Sequence, residues 1–524
     1  MTLAETIAPG PGGVRLHFPS EKVSVPYGEL WKSGEAMGCL RARSDGRPVA
    51  VALSNTRACV TVLVGAIAAG VPLVSVPMPP RGSDLDWYAG FIRRICAVSG
   101  AATLVVDAAF LPMIPPMDGI EFLSYEDAVA LTGPRDLSPE SFTLTQFTSG
   151  STADPKGVVL PGHKITANLL ALMEWLGPEQ GDGTCTWLPL SHDMGLIGMF
   201  LGSLTAVGRR LVRDFDLVMM TPQGFLRGPG RWLATCEEFG STFTAAPNYA
   251  FDMVARKRGT VSDLSRLRCC IAGGEPIRAA SLERFTEVMA GMRFDPAAFA
   301  PAYGMAEAVL AVTGTPQDER WRTAELDAIP GGAEFAAAQG HRIVSSGRPL
   351  PGYEVRIEGE GVGEILVRGP SIADSYADGA RLPDVEGWFH TRDIGAVHEG
   401  ELYVFGRTDD VFQVAGRNIY AIDVEAYASE VDGIRTGRVV AVPERGELTV
   451  VAECEPGFTG EGEVQRLVRE LSNQIVTRVG VAPRRVLLAR RGILPLTSSG
   501  KIRRRPLVAA LESDDLKILD GSQV

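Results

Sequence analysis

VAVALSNTRACVTVLVGAIAAGVPLVSVPM, residues 49–78, decides how this chain folds. VAVALS reads as a buried strand, Thr56 to Ala69 as a helix, and LVSVPM as a second strand reached across the breakers Gly70 and Pro72. Strand, helix and strand in succession form one crossover unit, the rhythm of a parallel sheet. The apolar run from residue 58 to residue 80 is also about as long as a membrane span, but Gly70 and Pro72 interrupt it. No membrane span is expected.

The same rhythm extends outward. A helical pattern covers Asp84 to Val98, and TLVVD follows at 103–107; further on come FTLTQFT at 142–148, the helical His163 to Leu176 and the strand TCTWLPL at 184–190. LRCCIAGG at 267–274 then leads into a helix over Arg278 to Met292. From about His341 the texture changes to short strands and turns, as in VGEILVRG and ELYVFGR, which predicts a small β-rich subdomain. After Arg407 a compact mixed segment has helical stretches near Asp423 to Val431 and Gly462 to Val479, with a strand pair at VVAVPE and LTVVAECE.

At 524 residues, 45% hydrophobic and 22% charged, the chain can build several packed units and is not disordered. Its net charge of −12 argues against a nucleic-acid partner. From Arg407 onward basic and acidic residues balance at 17 each, so the whole excess lies upstream. The eight cysteines contain no CxxC pair, so they read as small buried hydrophobes rather than a zinc site or a disulfide framework. MTLAETIAPGPGG lacks the basic flank and apolar core of a signal peptide, and the cytoplasm is the expected compartment.

The richest chemistry follows FTLTQF. Thr148-Ser149-Gly150-Ser151-Thr152-Ala153-Asp154-Pro155-Lys156-Gly157 concentrates hydroxyls, flexible backbone amides and one lysine, the groups that wrap a phosphate. There is no GxxxxGK[ST] and no GxGxxG, so this is neither a Walker loop nor a dinucleotide fingerprint.

Together with four later segments, this stretch resembles the adenylate-forming superfamily of acyl-CoA synthetases, luciferases and nonribosomal adenylation domains. Tyr303-Gly304-Met305-Ala306-Glu307 is similar to its second signature, and Phe389-His390-Thr391-Arg392-Asp393 to its ribose-binding segment. Gly406-Arg407-Thr408-Asp409-Asp410 with Gly416-Arg417-Asn418-Ile419-Tyr420 resembles its hinge, and Leu496-Thr497-Ser498-Ser499-Gly500-Lys501 its catalytic-lysine loop. Within that superfamily the likeness is to fatty acyl-AMP ligases. It is carried by Trp187-Leu188-Pro189-Leu190-Ser191-His192-Asp193-Met194-Gly195-Leu196, by Ala246-Pro247-Asn248-Tyr249-Ala250, by Phe294-Asp295-Pro296-Ala297-Ala298-Phe299 and by Ala306. Glu319 to Ser346 lies where those ligases carry an insertion that restrains the C-terminal domain.

The resemblance implies an α/β fold: a large N-terminal domain over 1–406 with parallel-sheet subdomains and a small β-barrel-like subdomain, a hinge at 407–410, and a small mobile α+β lid over 411–524. It implies a carboxylate attacking the α-phosphorus of ATP to give acyl-AMP and pyrophosphate, then acyl transfer to a phosphopantetheine thiol of a carrier protein. Lys501, Lys156 and His192 are the expected catalytic residues. Thr148, Ser149, Gly150, Ser151, Thr152, Lys156, Gly273, Gly274, Glu275, Ala302, Tyr303, Gly304, Met305, Asp393, Arg407 and Lys501 would hold ATP and the product AMP, and Glu307 would hold Mg²⁺. Transfer to free CoA, specialisation for one half-reaction, activation of an amino acid through Asp193, and a nucleotide-binding pseudoenzyme are the competing readings. Five retained groups, Lys156, Glu307, Asp393, Arg407 and Lys501, argue against the last.

Three further expectations concern side chains. His192 and Asp193 are adjacent, so their side chains should diverge, His192 walling the acyl site and Asp193 anchoring the backbone. Arg392 stands where the family usually has glycine. The run Arg484 to Arg505 holds eight basic and no acidic residues, a surface for the phosphates of a thiol donor or an acidic carrier.

Overall fold

The computed structural model describes all residues except 11, 80–84, 149–155, 258, 326–327, 331–341, 409–410, 415–416, 445–446, 496–501, 514 and 520–524. The opening stretch forms the expected crossover. Strand Val49–Leu53 feeds helix Arg57–Ala69, where the Thr56 side chain accepts the Cys59 N–H and Gly70, at φ 75°, ends the helix in the left-handed region. Strand Leu73–Pro77 then pairs in parallel with Val49–Leu53.

These belong to a six-stranded sheet in the order Glu121–Ser124, Thr103–Val106, Val49–Leu53, Leu73–Pro77, Thr143–Thr148, Lys156–Pro161, parallel except at the last pair. Along Val49–Leu53 alternate side chains enter different cores: Val49, Val51 and Leu53 pack with helix Arg57–Ala69, whereas Ala50 and Ala52 pack with helix Leu85–Ser99. Burial on both faces explains why the strand has no polar alternation.

A nine-stranded sheet lies beside it. Its central strands run Phe299–Gly304, Cys269–Ala272, Phe243–Ala246, Gly183–Thr186, Phe215–Met219 and Val14–Phe18, all parallel, with antiparallel strands at both edges. One face shares the core that contains helices Arg57–Ala69 and Gly162–Leu176, and the other covers an aromatic core around Trp232, Phe251, Phe285 and Phe299. Strands Glu354–Ile357, Gly363–Arg368, Phe389–His398 and Glu401–Arg407 form the β-rich subdomain, an antiparallel sheet of four curled into a half-barrel. From Ile434 on, strands Ile434–Glu444, Glu447–Cys454 and Arg485–Ala489 carry helices Ala421–Ala428 and Glu461–Val479 on one face and Arg504–Glu512 on the other, each with its own core.

Three expectations shift. TCTWLPL is a strand only to Thr186, because Leu188 and Leu190 give their backbone groups to a side chain instead of a neighbouring strand. Met194–Leu201, not anticipated, winds with i→i+5 hydrogen bonds. The basic run is partly neutralised from a distance, since Arg484 pairs with Glu447, Arg485 with Glu444 and Arg504 with Glu425. All eight cysteines are buried and free, as expected, and among the described residues no helix is long and apolar enough to cross a membrane.

Candidate functional site

Parallel strands bring their carboxyl ends to one edge, where open α/β sheets bind ligands. In the six-stranded sheet, Thr148 at the end of Thr143–Thr148 pairs with Lys156 at the start of Lys156–Pro161. Ser149, Gly150, Ser151, Thr152, Asp409 and Lys501 lie outside the described residues. The Lys156 ammonium sits 5.3 Å from the centre of the Tyr376 ring, within cation–π range. The Tyr376 hydroxyl donates to Glu307 Oε1 at 3.0 Å. Backbone bonds stitch this segment to both neighbours: Ala377 N–H to Gly157 O at 2.7 Å, Val159 N–H to Ser375 O at 3.2 Å and Ala373 N–H to Glu307 O at 2.8 Å. Desolvation, then the Glu307 charge, pushes the Tyr376 hydroxyl up, while nearby Arg407 opposes the shift.

Arg407 links this group to a second one. In the half-barrel Asp393 lies opposite Arg407, with Arg407 Nε 3.4 Å from Asp393 Oδ1, and the Tyr303 hydroxyl donates to Asp393 Oδ2 at 2.7 Å. Desolvation, then the Asp393 charge beside it, holds the Tyr303 hydroxyl well above its ordinary range. Asp393 N–H donates to Thr391 Oγ1 at 3.0 Å, and that hydroxyl donates to Ile365 O at 2.7 Å. A register shift follows at once between Ile394 and Gly395, a bulge of the kind that re-aims side chains beside active sites. Arg392 has φ 63°, the left-handed conformation that glycine adopts at little cost, and its N–H donates to Glu364 Oε1 at 2.7 Å. Glycine at 304 is obligatory: a Cβ there would lie 1.8 Å from Leu310 O. Ala302 pairs with Gly314, Met305 N–H donates to Leu310 O at 2.8 Å, and a Cβ on Gly273 would come within 3.0 Å of Ala302 O. Lys156, Glu307, Asp393 and Arg407 therefore form one connected group through Tyr376 and Tyr303.

The segments beyond the carboxyl edge of the nine-stranded sheet are pinned by a residue that sequence reasoning missed. Asn55, only 2% exposed, donates from Nδ2 to Leu188 O at 2.9 Å and Met220 O at 2.8 Å and accepts the Leu190 N–H at 3.1 Å. His192 and Asp193 do not diverge. Asp193 Oδ1 takes the Met194 N–H at 2.7 Å and approaches His192 Nδ1 at 2.7 Å, because both side chains turn toward the exposed amide that opens the i→i+5 helix. Asp193 is thus the expected anchor, engaged in capping and not offered to a substrate ammonium. A Cβ on Gly274 would sit 4.0 Å from His192 Cε1, which brings His192 up to the Gly273–Glu275 loop. Glu275 Oε1 accepts the Tyr249 N–H at 2.6 Å. From the C-terminal strand, Gly437 approaches Tyr249, whose Cβ would lie 4.0 Å from a Cβ on that glycine. Burial lowers the neighbouring Arg438, with Arg435 adding to the shift and Glu453 and Tyr249 opposing it.

Residues 11–377 match the AMP-binding enzyme family. The chain belongs to that family. The AMP-binding enzyme is 33% identical to the long-chain-fatty-acid–AMP ligase FadD32 of Mycolicibacterium smegmatis, with 76% of this chain and 72% of that one covered. It is 31% identical to the long-chain-fatty-acid–AMP ligase FadD26 of Mycobacterium marinum over 94% and 92%. A solved structure from a study of fatty acyl-adenylate ligases of E. coli and L. pneumophila superposes with a TM-score of 0.85 at 24% identity, covering 98% and 99% of the two chains, which establishes the shared fold. The likeness read from the motifs therefore holds. Tyr376 and Glu364, which steady Glu307 and Arg392 in this AMP-binding enzyme, had no motif to announce them.

Proposed function

We propose that this AMP-binding enzyme is a fatty acyl-AMP ligase that joins a carboxylic acid to AMP and then hands the acyl group to the phosphopantetheine thiol of a carrier protein. The observation that carries the proposal is the convergence of Lys156, Glu307, Asp393 and Arg407 from three separate sheet regions through Tyr376 and Tyr303. A carboxylate oxygen attacks the α-phosphorus, an O–P bond forms, and the bond to the β-phosphate oxygen breaks to release pyrophosphate. Charge accumulates on the phosphate oxygens, so catalysis rests on positioning and on fixed positive groups.

Lys156 supplies one such charge at the phosphate loop, and Lys501 supplies the other at the acid and α-phosphate. Asp393 orients the ribose hydroxyls; Tyr303 and Arg407 each occupy one side of its carboxylate and keep it ionised and aimed. Tyr376 holds one oxygen of Glu307, which leaves the carboxylate's remaining lone pairs for Mg²⁺, a hard cation suited to carboxylate and phosphate oxygens. When bound, Mg²⁺ would neutralise phosphate charge. His192 walls the acyl entrance beside Gly274. In the second step the thiol attacks the acyl carbon, the thioester C–S bond forms and AMP leaves. Residues 1–406 and 411–524 act as two domains and 407–410 as their hinge, so the lid can present different faces in the two steps. We place the enzyme in the cytoplasm, where ATP and magnesium are supplied.

ATP–pyrophosphate exchange with a panel of acids tests adenylation, and mass spectrometry of products with a carrier protein and CoA offered side by side tests transfer. Acid-dependent exchange and acylated carrier are expected. Absence of exchange with every acid overturns the ligase reading, and acyl-CoA as the sole product overturns the carrier.

A further inference from the structure

In the nine-stranded sheet the chain leaves Gly183–Thr186 for Phe215–Met219 on one side, and leaves its other neighbour Phe243–Ala246 for Cys269–Ala272 and Phe299–Gly304 on the opposite side. The crevice between two such strands, beyond their carboxyl ends, is where open α/β sheets seat a ligand. Trp187 follows the first strand and Tyr249 lies just beyond the second, their ring centroids 6.5 Å apart. Trp187 is stacked on Phe225 at 3.7 Å with an interplanar angle of 4°, meets Trp232 edge-on, and is 3% exposed. The box fixes the ring.

The indole N–H is not satisfied. Trp187 Nε1 is buried and has no hydrogen-bond acceptor among the described residues. By contrast the indole of buried Trp232 donates to Thr244 Oγ1 at 2.8 Å, and that of Trp175 to Thr315 O at 2.7 Å. Buried indoles usually find an acceptor, and a buried donor left unmet costs more than a made bond gains. A rigid box that holds an unmet donor at the head of a ligand crevice is built to receive an acceptor from the ligand.

We propose that the acid activated here carries an oxygen on its tail, a hydroxyl or oxo group away from the carboxylate, that accepts a hydrogen bond from Trp187 Nε1. This rests on the acyl-AMP ligase reading and names its substrate class. Plain alkyl acids of equal length leave the donor unmet and are discriminated against, in the way a site built to hydrogen-bond a substrate group rejects analogues lacking it.

The test compares acids matched in length with and without a tail hydroxyl or oxo group, including 4-hydroxyphenyl and phenyl alkanoates, by exchange kinetics on the wild type and Trp187→Phe. Phenylalanine keeps the stacking and removes the donor. The wild type is expected to favour the oxygenated acid in kcat/KM by about tenfold, and Trp187→Phe to bring that ratio close to one. A wild-type preference for the plain acid, or an equal ratio in both proteins, overturns the proposal. Should the variant not fold, or exchange fail with every acid, the wild-type melting temperature with non-hydrolysable acyl-adenylate analogues decides. A larger rise with the oxygenated analogue supports the proposal and an equal or smaller rise overturns it, whereas loss of exchange alone counts against the ligase reading.

Discussion

Replacing Asn55 by alanine removes the one side chain that ties Leu188, Leu190 and Met220 together. Asn55 is 2% exposed, so the Leu188 and Met220 carbonyls and the Leu190 N–H would lose their partner inside the protein. At about 1 kcal/mol for each orphaned group, Asn55→Ala should cost about 3 kcal/mol. Asn55→Asp is a sharper probe. It keeps an acceptor for Leu190 N–H but sets carboxylate charge against two carbonyl oxygens, so it should destabilise at least as much. Urea unfolding followed by tryptophan fluorescence reads the first transition, since Trp187 lies directly beside the clamp, and the KM for the acid reads the loosened acyl segment. Both variants should lower the urea midpoint and raise the KM for the acid more than that for ATP. Two variants within about 0.5 kcal/mol of wild type, the range of an ordinary surface change, would refute the idea that this single amide holds the crevice in shape.

Tyr376→Phe should weaken magnesium-dependent exchange by about tenfold while leaving the fold intact, because it removes one hydrogen bond to a carboxylate; an unchanged magnesium dependence counts against the role given to Glu307. Arg392→Gly should raise stability by about 1 kcal/mol, the cost of a left-handed non-glycine residue, checked by urea midpoint; a loss of stability means that the arginine side chain outweighs the backbone strain. Burial alone would raise Asp182, but the hydrogen bonds from Arg268, the Glu179 N–H and Thr242 outweigh it and hold the carboxyl below its ordinary range. Its folded value is depressed, so its contribution is fully present above the unfolded carboxylate range and is lost as pH falls through the folded value. Asp182→Asn should therefore be less stable than wild type at pH 7, with the gap closing in acid; a gap independent of pH would refute the assignment.

The sheet-and-helix order was legible because local chemistry and global fold agree: Thr56 caps and Gly70 stops the same helix that the apolar run Val60 to Ala69 drives into the core. The nucleotide site was legible because its groups lie in short runs such as Tyr303 to Glu307, each of which makes one turn or strand end. What escaped was the support behind them. Asn55 reaches partners 133, 135 and 165 residues away, and Tyr376 reaches Glu307 across 69; no periodicity encodes such pairings. The divergence expected for His192 and Asp193 assumed a regular backbone, but a helix start presents an amide that draws both side chains to it. Likewise the run of basic residues near the C-terminus looked solvated only because its acidic partners come from distant strands.

Tyr249 stands at a meeting point: its N–H is held by Glu275 in the acyl loop, while Gly437 and Arg438 of the C-terminal strand press close to it. A guest that displaces this ring must disturb the strand behind it, and repositioning of that strand must in turn alter how well the guest is held. Affinity for the acid and the resting orientation of the lid are therefore one reciprocal equilibrium, which each can bias by the same amount.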